Sequence, residues 1–182
     1  LVRGLVLNRF GTALSFGGVT GHNRAEGNFI GTDLAGSAVF AGQNMNGVYV
    51  GSDHNVVGGP LETQRNLVSG GAIGIYLNQP TAWSNSVQGN FVGTDVTGTL
   101  GLGNGNIGIY VTQTASNLVS GNLVSGNANY GVVIEGPMAF ANRIEANRVG
   151  TTLSGTAALP NTNSGLVLRS GAHDNLIGGA GV

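Results

Sequence analysis

Apolar residues recur along the chain in a pattern that is typical of short β-strands. Five segments of the form Gly-apolar-x-apolar carry β-branched or aromatic residues, which favour strands. They are VYV at 48–50, IYL at 75–77, IYV at 109–111, VVI at 132–134 and LVL at 166–168. A weaker first copy covers residues 12–14. Each triplet is predicted to open a strand whose first and third residues face the same way.

The glycine before each triplet marks the start of a repeating unit. These glycines are Gly11, Gly47, Gly74, Gly108, Gly131 and Gly165. Long and short units alternate, because successive starts differ by 36, 27, 34, 23 and 34 residues. Self-similarity with a period in this range is the signature of a repeat architecture. The sequence therefore predicts one repeat domain over residues 1–182.

An asparagine follows each opening glycine by eight to twelve residues in all six units. The six are Asn23, Asn55, Asn85, Asn117, Asn142 and Asn175. Asparagine tolerates left-handed corner geometry, and its amide can both donate and accept hydrogen bonds between stacked units. We interpret this column as a structural ladder. A second Asn-x-apolar segment follows in most units, so each unit supplies three short strands.

Three short strands cannot bury their apolar faces alone. Stacking of successive units, about 4.8 Å apart, would place like residues above like and create a continuous core. We therefore predict an all-β parallel β-solenoid of about six to seven coils. The additional residues of the long units should form loops that project from one edge of the solenoid, with successive loops about 10 Å apart.

Three runs carry a resemblance to a known family. They are N-x-[VI]-x-G-N-x-[IV]-G-T-D, G-[VIL]-x-[VIL] and N-[LV]-V-S-G-N. Over essentially the whole chain they resemble the right-handed parallel β-helix repeats of bacterial surface and secreted proteins in the pectin-lyase-like superfamily. The resemblance implies a right-handed coil and an extracellular or cell-surface location. It implies a non-catalytic structural or interaction segment or, alternatively, a fragment of a polysaccharide lyase or glycoside hydrolase.

Composition limits the partners that can be expected. The chain has no lysine, seven scattered arginines and a net charge of -1. A nucleic-acid partner would require a clustered basic surface, so none is expected. No apolar run approaches the roughly 20 residues that span a bilayer, so we expect no membrane span, and we expect no signal peptide within residues 1–182. With no cysteine, the redox compartment cannot be inferred.

The acidic residues do not form a catalytic pair in the predicted register. Glycoside hydrolysis requires two carboxylates within about 5 to 9.5 Å. Glu26 and Glu145 occupy equivalent positions but lie four units apart, which corresponds to roughly 19 Å. Each glutamate follows an arginine by two residues, so we interpret Arg24–Glu26 and Arg143–Glu145 as surface ion pairs. We assign no catalytic residue.

Two Gly-Thr-Asp segments carry the candidate metal ligands, Asp33 and Asp95. Paired acidic loops with nearby asparagines could hold Ca²⁺, which takes six to eight oxygen ligands. Alternatively, each aspartate caps the turn that follows it. The third copy has Thr152 at this position, which favours the turn interpretation. We therefore expect no cofactor, with Ca²⁺ as the alternative.

Two histidines precede corner asparagines in adjacent units. His22 and His54 should therefore lie about 5 Å apart. The same column continues with Ser, Ser, Ala and Asp in later units. This change in chemistry indicates an outward position without a fixed role.

The candidate binding residues are Tyr49, Tyr76 and Tyr110, the middle residues of three successive triplets. Strand alternation turns all three outward and places them in one stripe. Such a stripe could stack on the pyranose rings of a polysaccharide or bind another surface protein. Alternatively, the rings only support one another along the strands.

Both ends of the sequence fall within a unit. Val2, Val6 and Leu7 at one end, and Leu176 and Ile177 at the other, belong to strands without a neighbouring coil. Unpaired strand edges recruit other chains. We therefore expect end-to-end self-association of this chain.

Overall fold

The structure, a computed structural model, describes residues 1–40 and 45–179. In these residues it has nineteen β-strands, numbered in chain order, and one short 3-10 helix at Glu62–Gln64. The described residues include no helix that is long and apolar enough to cross a membrane.

The strands form three sheets. Sheet A contains β1 (Val2–Arg3), β4 (Arg24–Glu26), β7 (Val56–Gly58), β10 (Ser86–Gln88), β13 (Leu118–Ser120), β16 (Arg143–Glu145) and β19 (Leu176–Ile177). Sheet B contains β2 (Val6–Leu7), β5 (Phe29–Ile30), β8 (Leu67–Val68), β11 (Phe91–Val92), β14 (Leu123–Val124) and β17 (Arg148–Val149). Sheet C contains β3 (Thr12–Phe16), β6 (Asn46–Val50), β9 (Ile73–Asn78), β12 (Ile107–Thr112), β15 (Tyr130–Glu135) and β18 (Ser164–Arg169).

Each strand pairs with the strand three places further along the chain, and these strand pairs are parallel. The chain therefore visits the three sheets in turn and advances by one strand spacing per circuit. The fold is a right-handed parallel β-helix of about six coils, which confirms the fold class predicted from the sequence.

The predicted triplets of sheet C stack in register over five coils. Val48 pairs with Ile75, Ile75 with Ile109, Ile109 with Val132, and Val132 with Leu166.

The first copy differs from the alignment on Gly11. Leu14 pairs with Val48 and Phe16 with Val50, so the equivalent triplet is Leu14–Phe16. The register lies two residues later than expected because it brings Phe16, rather than Thr12, into the core.

The inward residues of the three sheets form one continuous core. They are Val, Ile, Leu, Ala and Phe side chains that repeat at equivalent positions, so each contacts its counterpart in the next coil. Examples in consecutive coils are Val57, Val87, Val119 and Ile144.

The loops of the long units are in direct contact with one another. The Val96 amide donates a 2.9 Å hydrogen bond to the Gly36 carbonyl, and the Leu153 amide donates one of 2.9 Å to the Gly98 carbonyl. They lie closer together than the expected 10 Å because the coil between two loops makes only a short turn after β8 or β14.

The same loops cover the outer face of sheet B. Leu67, Phe91 and Leu123 point outward in consecutive coils, yet each is 2% exposed. Two loop glycines with left-handed backbones, Gly36 (φ 66°) and Gly98 (φ 69°), approach these side chains so closely that a Cβ would lie 2.8 to 3.1 Å from its neighbours. The loops therefore close a second, smaller hydrophobic cluster.

The end coils pair on one side only. β1, β2 and β3 form one edge of the sheets, and β17, β18 and β19 form the other. Leu176 and Ile177 are exposed in β19. The expected self-association stays a prediction, and sedimentation of this chain over a range of concentrations would test it.

Candidate functional site

The predicted asparagine ladder is confirmed. Each side-chain amide donates to the Oδ1 atom of the next asparagine at 3.0 to 3.1 Å, from Asn23 through to Asn175. The same Oδ1 atoms accept the backbone N–H of the preceding ladder residue at 2.7 to 3.0 Å. Each internal rung is therefore held by the side chain and by the backbone.

The left-handed residue at each of these corners is the one before the asparagine. These residues have φ between 50° and 61°, and they are His22, His54, Ser84, Ser116, Ala141 and Asp174. The sequence alone indicates left-handed geometry at the asparagine and no fixed role for the residue before it. Both interpretations are corrected, because the backbone at the preceding residue is fixed although its side chain varies.

Two further ladders close the other corners of the helix. The second ladder comprises Asn28, Asn66, Asn90, Asn122 and Asn147, with side-chain bonds of 2.9 to 3.0 Å. The third joins Asn104, Asn127 and Asn161 at 2.8 to 2.9 Å. The third ladder was not predicted; the pairs Gly103-Asn104 and Gly126-Asn127 recur in the sequence, but the third member, Asn161, follows a proline.

Both candidate metal ligands cap turns. Asp33 Oδ1 accepts the amides of Ser37 and Ala38 at 2.8 and 3.2 Å. These hydrogen bonds, with that of Ser37 the largest cause, lower the pKa of Asp33.

Asp95 makes the same contacts in the equivalent loop. Its Oδ1 accepts the amides of Thr99 and Leu100, both at 3.0 Å, and its Oδ2 accepts the Thr97 hydroxyl at 2.6 Å. Burial alone would raise the pKa of Asp95, but hydrogen bonds from Thr97, Leu100 and Thr99 outweigh it and lower the pKa. Within the described residues, no three His, Asp or Glu side chains cluster as metal ligands. Calcium binding stays a prediction that calorimetric titration would test.

The two predicted arginine–glutamate ion pairs are present. Arg24 Nε lies 3.0 Å from Glu26 Oε2, and an arginine guanidinium lies 2.9 Å from Glu145 Oε2. Glu26 is 5% exposed, so it is less accessible than a surface ion pair implies. Its burial follows from residues 60–65, an insertion between β7 and β8 that places the Gln64 amide 3.3 Å from the same carboxylate.

The three candidate tyrosines form one column. Tyr49 pairs with Tyr76, and Tyr76 with Tyr110. The Tyr76 and Tyr110 rings stack with centroids 5.1 Å apart and an interplanar angle of 6°, whereas Tyr49 meets Tyr76 edge-on at 5.7 Å. Only Tyr76 and Tyr110 therefore turn their faces toward each other.

A charged cluster lies at the end of the tyrosine column. The Tyr110 hydroxyl, the Arg169 guanidinium and the Ser170 hydroxyl donate to the Glu135 carboxylate at 2.7, 2.9 and 3.1 Å. Burial, followed by the bond to Glu135, raises the pKa of Tyr110 to about 12. The Tyr110 bond, followed by that of Arg169, lowers the pKa of Glu135.

A row of aromatic side chains follows the corner between sheets C and A. The rings of His22 and His54 stack at 5.0 Å, as their spacing predicted, and His54 meets Trp83 edge-on at 4.6 Å. Further along, Phe140 stacks on His173 at 5.4 Å. Between Trp83 and Phe140 lies an open pocket of about 290 Å³, which we call the corner slot. The corner slot was not predicted from the sequence.

Comparison of the chain with protein-family models, with curated proteins and with solved structures finds no match.

All eight carboxylates of the chain have a partner within it. The four glutamates contact arginines, and they are Glu26, Glu62, Glu135 and Glu145. Asp53 and Asp174 contact the adjacent histidine rings at 2.9 Å, whereas Asp33 and Asp95 accept turn amides. Each acid therefore has at least one contact within the chain.

Proposed function

We propose that the chain is a non-catalytic β-solenoid segment of a bacterial surface or secreted protein, related to the pectin-lyase-like β-helices. In this role it serves as a rigid support and as a surface that binds a polysaccharide or another surface protein. The observation that carries the proposal is the stacking of the coils on one continuous core, joined at their corners by three asparagine ladders.

Rigidity is supported by the three amide ladders and the single core. Each ladder rung joins two coils by a side-chain and a backbone hydrogen bond in addition to the strand pairing. A net contribution of about 1 kcal/mol is typical of one hydrogen bond, and loss of a buried partner costs more. A solenoid in which neighbouring coils are joined at their corners resists local opening and suits a spacer.

The tyrosine column is the first candidate contact surface. Tyr49, Tyr76 and Tyr110 are half-buried, and their faces are partly occupied by one another. They therefore present ring edges to solvent, while the hydroxyl groups of Tyr49 and Tyr110 hydrogen-bond within the chain. Groups of this kind suit a protein surface or the hydroxyl-rich edge of a glycan.

Replacement of Tyr76 by valine tests this surface, because valine keeps the strand propensity. We expect binding to a glycan array or to a protein partner to fall while the melting temperature holds. The matched control is Tyr130→Val, since Tyr130 lies on the same sheet outside the column. Unchanged binding with a lowered melting temperature would leave the tyrosines with a structural role only.

Incubation with uronate polymers tests the non-catalytic role. We expect no ultraviolet absorbance from unsaturated product and no new reducing ends at substoichiometric protein concentration. Product that accumulates over many turnovers would overturn the proposal and establish the enzymatic alternative.

A further inference from the structure

We propose that the corner slot binds the ring of one neutral pyranose unit, held between Trp83 and Phe140 above Ala115. This inference rests on the proposed non-catalytic binding role and adds to it a second site with a stated ligand class. The tyrosine column lies on the face of sheet C, whereas the slot lies at its corner with sheet A, so the two sites can be tested separately.

The slot arises from one small residue in a column of large ones. Trp83, Ala115 and Phe140 each precede a ladder asparagine by two residues, and those asparagines are consecutive in the ladder. The two aromatic residues therefore lie two coils apart, which is roughly 10 Å. Ala115 leaves the space between them open.

Each aromatic wall is supported from behind by a histidine. Phe140 forms a bridge with His173 of the next coil and stacks on its ring at an interplanar angle of 6°. The opposite face of Phe140 is therefore turned toward Ala115. Trp83 rests against His54 of the preceding coil at 75°. These contacts hold both walls in place before a ligand arrives.

Both walls are accessible. Trp83 is 46% exposed and Phe140 is 40% exposed, although large aromatic side chains usually bury most of their surface. Met138 extends the apolar lining. An accessible apolar pocket with preformed walls is the usual form of a small-ligand site, and 290 Å³ lies just below the usual lower bound of about 300 Å³.

The dimensions fit a puckered sugar ring. Carbon atoms in contact lie about 3.5 to 4.0 Å apart, so a ring that contacts both walls occupies about 7 to 8 Å, and the pucker of a chair adds to this thickness. A space two coils wide accommodates such a ring. The C–H face of a pyranose also suits the exposed face of an aromatic side chain.

The polar groups at the slot favour a neutral ligand with hydroxyl groups. None of the eight lining residues is ionisable. The Gln113 amide and the Ser116 hydroxyl lie at the slot, and neither side chain hydrogen-bonds to another part of the described chain. A uronate carboxylate would find no cation there, whereas sugar hydroxyls would find a donor and an acceptor.

Trp83 is the only tryptophan of the chain, so its fluorescence reports on the slot directly. We expect at least one of cellohexaose, laminarihexaose and mannohexaose to shift the emission saturably. Oligogalacturonate of equal length should bind at least about tenfold more weakly, a difference of about 1.4 kcal/mol.

Ala115→Leu fills the slot and should weaken binding by about tenfold or more. Ala157→Leu introduces the same bulk at an exposed loop position on another edge and should bind like the parent. Phe140→Ala, which keeps Trp83, is a second variant, and its sugar binding is measured by calorimetry. Circular dichroism checks that each variant is folded.

Three results would overturn the assignment. These are no saturable shift with any of the three neutral hexasaccharides, full retention of binding in Ala115→Leu, or equal binding of oligogalacturonate. Saturable binding of indole in place of the sugars would assign the slot to a flat aromatic ligand instead. Loss of sugar binding in Tyr76→Val but not in Ala115→Leu would place the ligand on the tyrosine column. New reducing ends would refute the non-catalytic role. The fluorescence titration would still decide whether the slot binds the sugar.

Discussion

The Tyr110 hydroxyl donates a 2.7 Å hydrogen bond to Oε2 of Glu135 in the next coil. The same oxygen accepts the Arg169 guanidinium from the coil beyond at 2.9 Å. These two hydrogen bonds join side chains from three successive coils on the outer surface of sheet C, in addition to the pairing of the strands. Val133 lies in the tyrosine column beside this cluster and is fully buried although it points outward.

Replacement of Tyr110 by phenylalanine should remove this link. We expect the pKa of Glu135 to rise toward its ordinary value and the free energy of unfolding to fall by about 0.5 to 1.5 kcal/mol. NMR titration of the carboxyl carbon and urea unfolding measure the two effects. Tyr49→Phe is the matched control, because that hydroxyl makes only a 3.4 Å bond to a backbone carbonyl. Equal effects of the two variants would contradict the prediction.

The same pair should make stability depend on pH in two windows. The lowered pKa of Glu135 means that its contribution is present above its ordinary value of 4.5 and is lost as pH falls through the folded-state pKa. The raised pKa of Tyr110 means that its contribution is present below 10 and is lost as pH rises toward about 12. Urea midpoints measured against pH should show both losses, and Tyr110→Phe should reduce the alkaline one; the remainder belongs to Tyr76, whose pKa is also raised by burial. An alkaline loss of undiminished size in this variant would assign it to another group.

Asn117→Leu should break the first ladder at its centre. The Asn117 Oδ1 atom accepts both the backbone amide and the side-chain amide of Asn85, which leucine would leave without an acceptor in a buried place. We expect a loss of about 1 to 3 kcal/mol in urea unfolding. Asn106→Leu, at an exposed amide pair with Asn129, should change stability by less than about 0.5 kcal/mol. A near-neutral result for Asn117→Leu would refute the energetic role of the ladder.

Gly108→Ala should destabilise the corner of the third ladder. An added Cβ would lie 2.8 Å from the Asn127 amide nitrogen, from the Gly131 carbonyl oxygen and from a Val124 methyl group. We expect a cost of about 1 to 3 kcal/mol, measured by urea unfolding. At Gly105 the nearest atom would be 3.7 Å away, so Gly105→Ala should be neutral or slightly stabilising. Similar losses in both variants would show that close approach is not the cause.

Thr152→Asp should stabilise the third loop. Its backbone matches the Asp95 loop, since the Thr152 amide donates to the Ala157 carbonyl at 3.0 Å as the Asp95 amide does to Leu100 at 2.9 Å. An aspartate there could accept the amides of Thr156 and Ala157. We expect a gain of about 0.5 to 1 kcal/mol in thermal unfolding. Thr156→Asp adds the same charge without the cap, and an equal gain from it would attribute the effect to charge.

The sequence predicts the fold and the first ladder because both depend on regular spacing. Each of the six ladder asparagines lies at a nearly constant distance from an apolar triplet, so their alignment needs no knowledge of the loops. The third ladder follows loops of unequal length, and Pro160 precedes Asn161 where glycine precedes Asn104 and Asn127. Its register therefore becomes visible only when the coils are stacked.

The corner slot was missed for a different physical reason. Trp83 and Phe140 are separated by 57 residues and differ in chemistry from Ala115, which lies between them in the column. A search for one residue type that recurs along the column cannot find this site, because the site forms where a small residue, Ala115, leaves space between two aromatic side chains. Counting back two residues from each ladder asparagine would have brought the three together.

The alternation of long loops and short turns makes a pair of coils the smallest unit that can be added to or removed from the helix without exposing apolar surface. Removal of one coil would place two loops where the packing accommodates one, and it would uncover part of the Leu67–Phe91–Leu123 cluster. The number of coils in this chain should therefore change in steps of two. Each internal duplication or deletion would add or remove two coils, which is roughly 60 residues and about 10 Å of length along the solenoid.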